Sequence, residues 1–193
     1  PITLSADQKK LISRERTKNG FRRIRGPAGS GKSVVLASKA KQLASEEKSV
    51  LVVSYNITLG NYLGDLVSRA SLPHGNFRKK IDFVNYHTWA RRVCTATGNS
   101  DRYKALEWKE NLDFVLSHSL PSLVNTILEE DCPESLQYDA VLVDEGQDFK
   151  LEWWKTLTKV VRDTGEAILV ADKTQDLYGS ASAWTEDAMT SAG

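Results

Sequence analysis

Gly26-Pro27-Ala28-Gly29-Ser30-Gly31-Lys32-Ser33 decides the fold of this chain. It fits the spacing G-x-x-x-x-G-K-[ST], in which glycines let the backbone turn its N–H groups inward around phosphate oxygens. Its neighbours suit that task. Phe21 to Arg25 reads as a short, unusually basic strand, and Val34 to Leu43 as a helix whose positive N-terminal end adds to the cradle. In such a loop Lys32 holds the β- and γ-phosphates and the Ser33 hydroxyl ligates magnesium.

Outward from the loop, strands and helices alternate. Val50 to Val53 is an unbroken apolar run of the kind buried on both faces of a parallel sheet, followed by a helix near Asn61 to Arg69 and a strand at Ile81 to Val84. Strands recur at Ala140 to Val143 and Ala167 to Ala171. The pattern predicts an α/β fold with helices on both faces of a parallel sheet, three layers in all. Between Thr88 and Gln137 only amphipathic segments occur, such as Leu106 to Leu116 and Leu123 to Leu128, broken by Pro121 and Pro133. The expected organisation is therefore a sheet domain over residues 1–87 and 138–193, with a short helical insertion at 88–137. Upstream, Ser5 followed by Gln8 is a capping-box pattern opening a first helix.

The second chemical signal is Ala140-Val141-Leu142-Val143 running into Asp144-Glu145. A buried strand delivers two acids to the carboxyl edge of the sheet, where open α/β sheets bind ligands. In this Walker B arrangement Asp144 holds the magnesium and Glu145 polarises an attacking water as general base.

Composition narrows the alternatives. No run of eighteen apolar residues and no basic-then-apolar leader occurs, which argues against membrane and secretion readings. Cys94 and Cys132 are isolated from each other and from any Cys-x-x-Cys pair, so neither a disulfide framework nor a zinc site is indicated, and a cytoplasmic setting is expected. The net charge of +1 hides an asymmetry: residues 1–50 carry 12 Lys/Arg against 4 Asp/Glu, and residues 51–193 carry 14 against 21. Such a basic region attracts phosphates, or else Lys9, Lys10, Arg14, Arg16 and Lys18 are the wet face of a helix. With its start at Pro1 and its one methionine at Met189, the chain reads as a piece of a longer protein.

Taken together, Gly26 to Ser33, Asp144-Glu145-Gly146-Gln147-Asp148 and Ala171-Asp172-Lys173-Thr174-Gln175-Asp176-Leu177-Tyr178 resemble the first RecA-like domain of UvrD/Rep-type superfamily 1 helicases. The resemblance covers most of residues 4 to 179, and implies a P-loop NTPase that uses ATP and Mg2+ to move along single-stranded nucleic acid, DNA favoured. It implies that Gln8 reads adenine, in competition with its capping-box role; that Gln147 lines the nucleotide cleft; and that Gln175 senses the γ-phosphate. It also implies a second RecA-like domain of the same full-length chain as partner, source of the arginine fingers, so that the present chain alone binds nucleotide but hydrolyses it slowly. Departures from the family pattern are Arg22, Arg23 and Arg25 in the first strand, Gly146 where alanine is frequent, and Lys173-Thr174 in place of a more acidic pair.

Two strand ends, Val53-Ser54-Tyr55-Asn56 and Val84-Asn85-Tyr86-His87-Thr88-Trp89, resemble nucleic-acid contact motifs. Aromatic rings there would stack on bases, and the small polar groups and His87 would hold phosphates. The alternative is that Tyr55, Tyr86 and Trp89 pack between sheet and helices. Trp184 lies where relatives place a base-stacking tryptophan, at a longer spacing, while Trp153 and Trp154 are expected to pack the helix after Walker B. Two other functional classes fit the phosphate loop: an ATP-binding regulatory module acting on a protein partner, and a nucleotide kinase. The acids with Gln147 and Gln175 favour water over an acceptor hydroxyl.

Overall fold

The computed structural model describes residues 3–55, 62, 64, 65, 80–146 and 149–172. Its centre is an all-parallel sheet of five strands: β1 (Phe21–Gly26), β2 (Val50–Ser54), β3 (Ile81–Asn85), β4 (Tyr138–Val143) and β5 (Val161–Asp172), in the order β1-β5-β4-β2-β3. Parallel pairing requires a crossover between successive strands, and helices fill those from β1 to β2, β3 to β4 and β4 to β5. The described helices are α1 (Ala6–Ser13), which precedes the sheet, α2 (Lys32–Ser45), α3 (Tyr86–Ala96), α4 (Ser100–Lys104), α5 (Leu112–Phe114), α6 (Leu120–Glu130) and α7 (Leu151–Thr158). The helix expected near Asn61 to Arg69 lies largely outside the described residues.

Alternation of side chains along each strand divides the core into two halves. Val50, Val52, Ala140, Leu142, Ile168 and Val170 face α2, where they meet Leu36, Ala40 and Leu43. Leu51, Val53, Val141, Val143, Ala167 and Leu169 face the opposite layer, built from α3, α6 and α7 with Trp89, Val124, Trp153 and Trp154. The result is the three-layer α/β/α arrangement expected from the alternation of strands and helices. Residues of the 88–137 stretch contribute directly to the second half of the core. Each fully buried Val or Leu here is worth about 1.5–3 kcal/mol of hydrophobic stabilisation.

Two local expectations need correction. Leu106 to Leu116 is not one amphipathic element: α4 ends at Lys104, turns follow, and Asn111 starts α5 by accepting the Phe114 N–H at 3.1 Å. Pro121 does not break the chain either. A π-helical stretch, Val115–Ser119, precedes α6, and the Leu120 N–H reaches back to the Val115 carbonyl. Pro121 then falls in the first turn of α6, where the N–H that proline lacks is least missed. Pro133 does stand beyond a helix end, after α6 stops at Glu130.

Candidate nucleotide site

β1 runs straight into the loop and the loop into α2, as the motif demands. Gly29 and Gly31 have φ of 72° and 79°, left-handed backbone that a side chain would strain, and Gly31 is the N-cap of α2. A Cβ on Gly31 would also lie 2.5 Å from Gln8 Nε2. The Lys32 ammonium is held inside the loop, donating to the carbonyls of Gly26 at 2.9 Å and Pro27 at 2.8 Å. Asp172 stands 3.6 Å from it.

Asp172 is the site residue that motif reading did not single out. β4 is not β1's neighbour, because β5 lies between them, in register so that Gly26 is paired with Asp172. Both β4 and β5 therefore deliver an acid to the loop. The sequence signal was available in Ala171-Asp172, an acid ending an apolar strand as Asp144 does.

Asp144 is 1% exposed. Its Oδ1 accepts the Glu145 N–H at 2.9 Å, while Oδ2 is buried with no hydrogen-bond partner among the described residues. Burial pushes its carboxyl above the ordinary value, and hydrogen bonds from the Ser33 side chain and the Glu145 backbone pull the other way. Next to it Glu145 has φ 55°, a strained conformation for a residue with a side chain. Gly146 is packed hard: a Cβ there would lie 2.7 Å from Leu169 Cγ and 2.9 and 3.0 Å from its two Cδ atoms. The departure from alanine at this position thus has a local steric reason.

Gln8 occupies a junction. Its Oε1 accepts the Ser5 N–H at 2.9 Å and its own N–H donates to Ser5 Oγ at 3.2 Å, which completes the capping box. Its Nε2 donates to the Ser30 carbonyl at 3.1 Å. The carboxamide thus caps α1 and touches the phosphate loop at once. Gln147, Gln175, Asn56 and Trp184 lie outside the described residues.

The aromatic candidates at the strand ends separate into two environments. Tyr55 is 53% exposed, its ring stacked on Trp153 with centroids 6.3 Å apart. Tyr86 is 1% exposed, stacked on the same Trp153 with centroids 4.8 Å apart and hydrogen-bonded through its hydroxyl to Thr156 Oγ1 at 2.9 Å. Burial pushes its phenol above the ordinary value. In this arrangement Tyr86 is a packing residue with no face left for a base, and Trp89 is equally buried. His87 meets Trp153 edge-on at 4.9 Å. Burial lowers its pKa, against a hydrogen bond with the Leu116 carbonyl that raises it. The Thr88 N–H is consumed by Asn85 Oδ1 at 2.8 Å, capping α3.

The basic N-terminal region is used in part for structure. Arg16 donates to the carbonyls of Gly165 at 2.6 Å and Asp163 at 3.0 Å, so it is tied to β5 rather than merely solvated. Among the described residues no helix is long and apolar enough to cross a membrane.

A comparison with curated proteins returns no match. The sequence profile of a family described as an AAA domain, AAA_19, matches residues 8–181. That span takes in the phosphate loop, the acids of β4 and all five strands, and the chain accordingly belongs to the AAA_19 family and is a P-loop NTPase domain.

Proposed function

We propose that this domain binds ATP with Mg2+ and is the N-terminal motor domain of an ATP-dependent helicase or translocase acting on single-stranded nucleic acid, DNA favoured. One observation supports the nucleotide part above the rest: a buried, unpartnered carboxylate oxygen on Asp144, beside Ser33 and the loop. A carboxylate oxygen kept from water with no hydrogen bond of its own is costly, and a hard cation is the group that such an oxygen and a serine hydroxyl suit. Magnesium held by Ser33 and Asp144 would neutralise charge on the β- and γ-phosphates. Lys32 exchanges its loop carbonyls and Asp172 for phosphate oxygens, and Glu145 accepts a proton from the attacking water. Gln175 senses the γ-phosphate and Gln147 lines the cleft.

The motor reading rests on the resemblance of Asp144-Glu145-Gly146-Gln147-Asp148 and the 171–178 segment to UvrD/Rep-type helicases, and on Tyr55, an exposed ring at the carboxyl edge of the sheet. In this reading a second RecA-like domain supplies arginine fingers, worth about 10³ to 10⁵ in turnover. The chain alone is then expected to bind a fluorescent ATP analogue with Mg2+, to lose that binding in Lys32→Ala, and to turn over slowly. Salt-sensitive binding of single-stranded oligonucleotide completes the expectation. Intact nucleotide binding in Lys32→Ala would sink the site assignment. Nucleotide binding with no oligonucleotide affinity at low salt would replace the motor by an ATP-binding module acting on a protein partner.

A further inference from the structure

Helix α1 carries Gln8 to the phosphate loop, yet none of its residues is fully buried. Eight residues are too few to hold a helix by propensity alone, so its position depends on tertiary ties. Those ties gather at its C-terminal end, where the last carbonyls have no partner within the helix. Arg22 Nη1, from β1, donates to the carbonyls of Leu11 and Arg14, both at 3.4 Å. Lys39 Nζ, from α2, donates to the Ile12 carbonyl at 3.1 Å. Both cations converge on Glu166 of β5, which lies 3.8 Å from Arg22 Nη2 and 3.4 Å from Lys39 Nζ. All three residues are less than a tenth exposed. Three charges sequestered from water under one end of an exposed helix are expensive unless they fix something.

We propose that Arg22, Lys39 and Glu166 are positioning residues for nucleotide recognition: by anchoring the C-terminal carbonyls of α1 they set where Gln8 stands over Ser30 and Gly31, and so set base preference without touching the nucleotide. This rests on the reading of Gln8 as the adenine contact. The cluster acts through a lever: Leu11 and Ile12 lie about one helical turn beyond Gln8, so a shift of the anchored end moves the carboxamide by a comparable distance.

The test compares the affinities of a fluorescent ATP analogue and its guanine counterpart, both with Mg2+, in the 193-residue chain and in Gln8→Ala, Arg22→Met and the double variant. Thermal melts are recorded alongside. Arg22→Met is expected to narrow the ATP-over-GTP preference by about threefold or more, Gln8→Ala by at least as much, and the double variant no further than Gln8→Ala, the non-additivity of residues acting through one contact. If Arg22→Met does not fold, Glu166→Gln keeps the shape and removes the shared charge, and carries the same expectation. General structural damage would weaken both nucleotides equally. A preference that survives in the cluster variants while Gln8→Ala narrows it, or effects that simply multiply, overturns the positioning role. A preference unchanged in Gln8→Ala removes the adenine reading itself and the positioning role with it, a result recognisable because wild type and Gln8→Ala then coincide.

Discussion

Replacing Gly146 by alanine adds one methyl group at the most crowded point of the candidate site. The new carbon would stand 2.7 to 3.0 Å from three atoms of Leu169, a residue of β5 that is fully buried in the core shared with α3, α6 and α7. Because Cγ is among those atoms, rotating a methyl away does not relieve the clash, and either Leu169 or the backbone after Glu145 must move. Overpacking of this kind costs about 1–3 kcal/mol, equivalent in a domain of this size to about 2–4 °C of melting temperature for each kcal/mol. The assay is urea denaturation of wild type, Gly146→Ala, Leu169→Ala and the double variant. Leu169→Ala alone costs about 2–5 kcal/mol for the cavity it leaves, but in the Gly146→Ala background the removed γ carbon opens the space that the new methyl needs. The two changes are therefore expected to couple favourably by about 1 kcal/mol or more. Strict additivity, or a Gly146→Ala variant within about 0.5 kcal/mol of wild type, refutes the steric account.

Asp144→Asn is expected to stabilise the metal-free chain by about 1–3 kcal/mol, since it removes a buried charge whose Oδ2 has no hydrogen-bond partner among the described residues, while abolishing the Mg2+ dependence of nucleotide binding. Because the folded-state value of Asp144 is raised, the stability that its protonated form contributes is present below the unfolded value, about 4, and is lost as pH climbs through the folded value. Melts of the two proteins should accordingly diverge with rising pH, and a constant gap would contradict the assignment. Tyr55→Ala should leave the melting temperature nearly unchanged but weaken binding of single-stranded oligonucleotide by about 1–3 kcal/mol, as measured by fluorescence anisotropy. Tyr86→Phe should do the reverse, costing about 1 kcal/mol in denaturant for the lost bond to Thr156 with no change in oligonucleotide affinity. Equal oligonucleotide effects at the two positions would dissolve the distinction between them.

The sequence by itself determined what is written within a few residues of its cause. A glycine that must adopt positive φ, a lysine and a serine at set distances from it, an apolar run ending in two acids, and Ser5 paired with Gln8 are all local, and the phosphate loop, β4 with Asp144-Glu145 and the cap of α1 follow from them. Strand boundaries were legible within a residue or two except in β5, whose charged, polar first half carries no apolar run and is drawn into the sheet by pairing with Tyr138. The tertiary structure alone decided matters that depend on residues far apart in the chain. Insertion of β5 between β1 and β4 brings Asp172 to Lys32 across 140 positions, and no periodicity encodes strand order. Tyr55 and Tyr86 look alike as aromatics at strand ends; α7 sets Trp153 between them, leaving one ring facing water and enclosing the other. The arginines of β1 read only as an unusually basic strand until Glu166 arrives from β5, where an ion pair and helix carbonyls turn Arg22 into an anchor. Local backbone preference acts through torsions and can be read in order, whereas burial and charge pairing are settled only when distant segments share one volume.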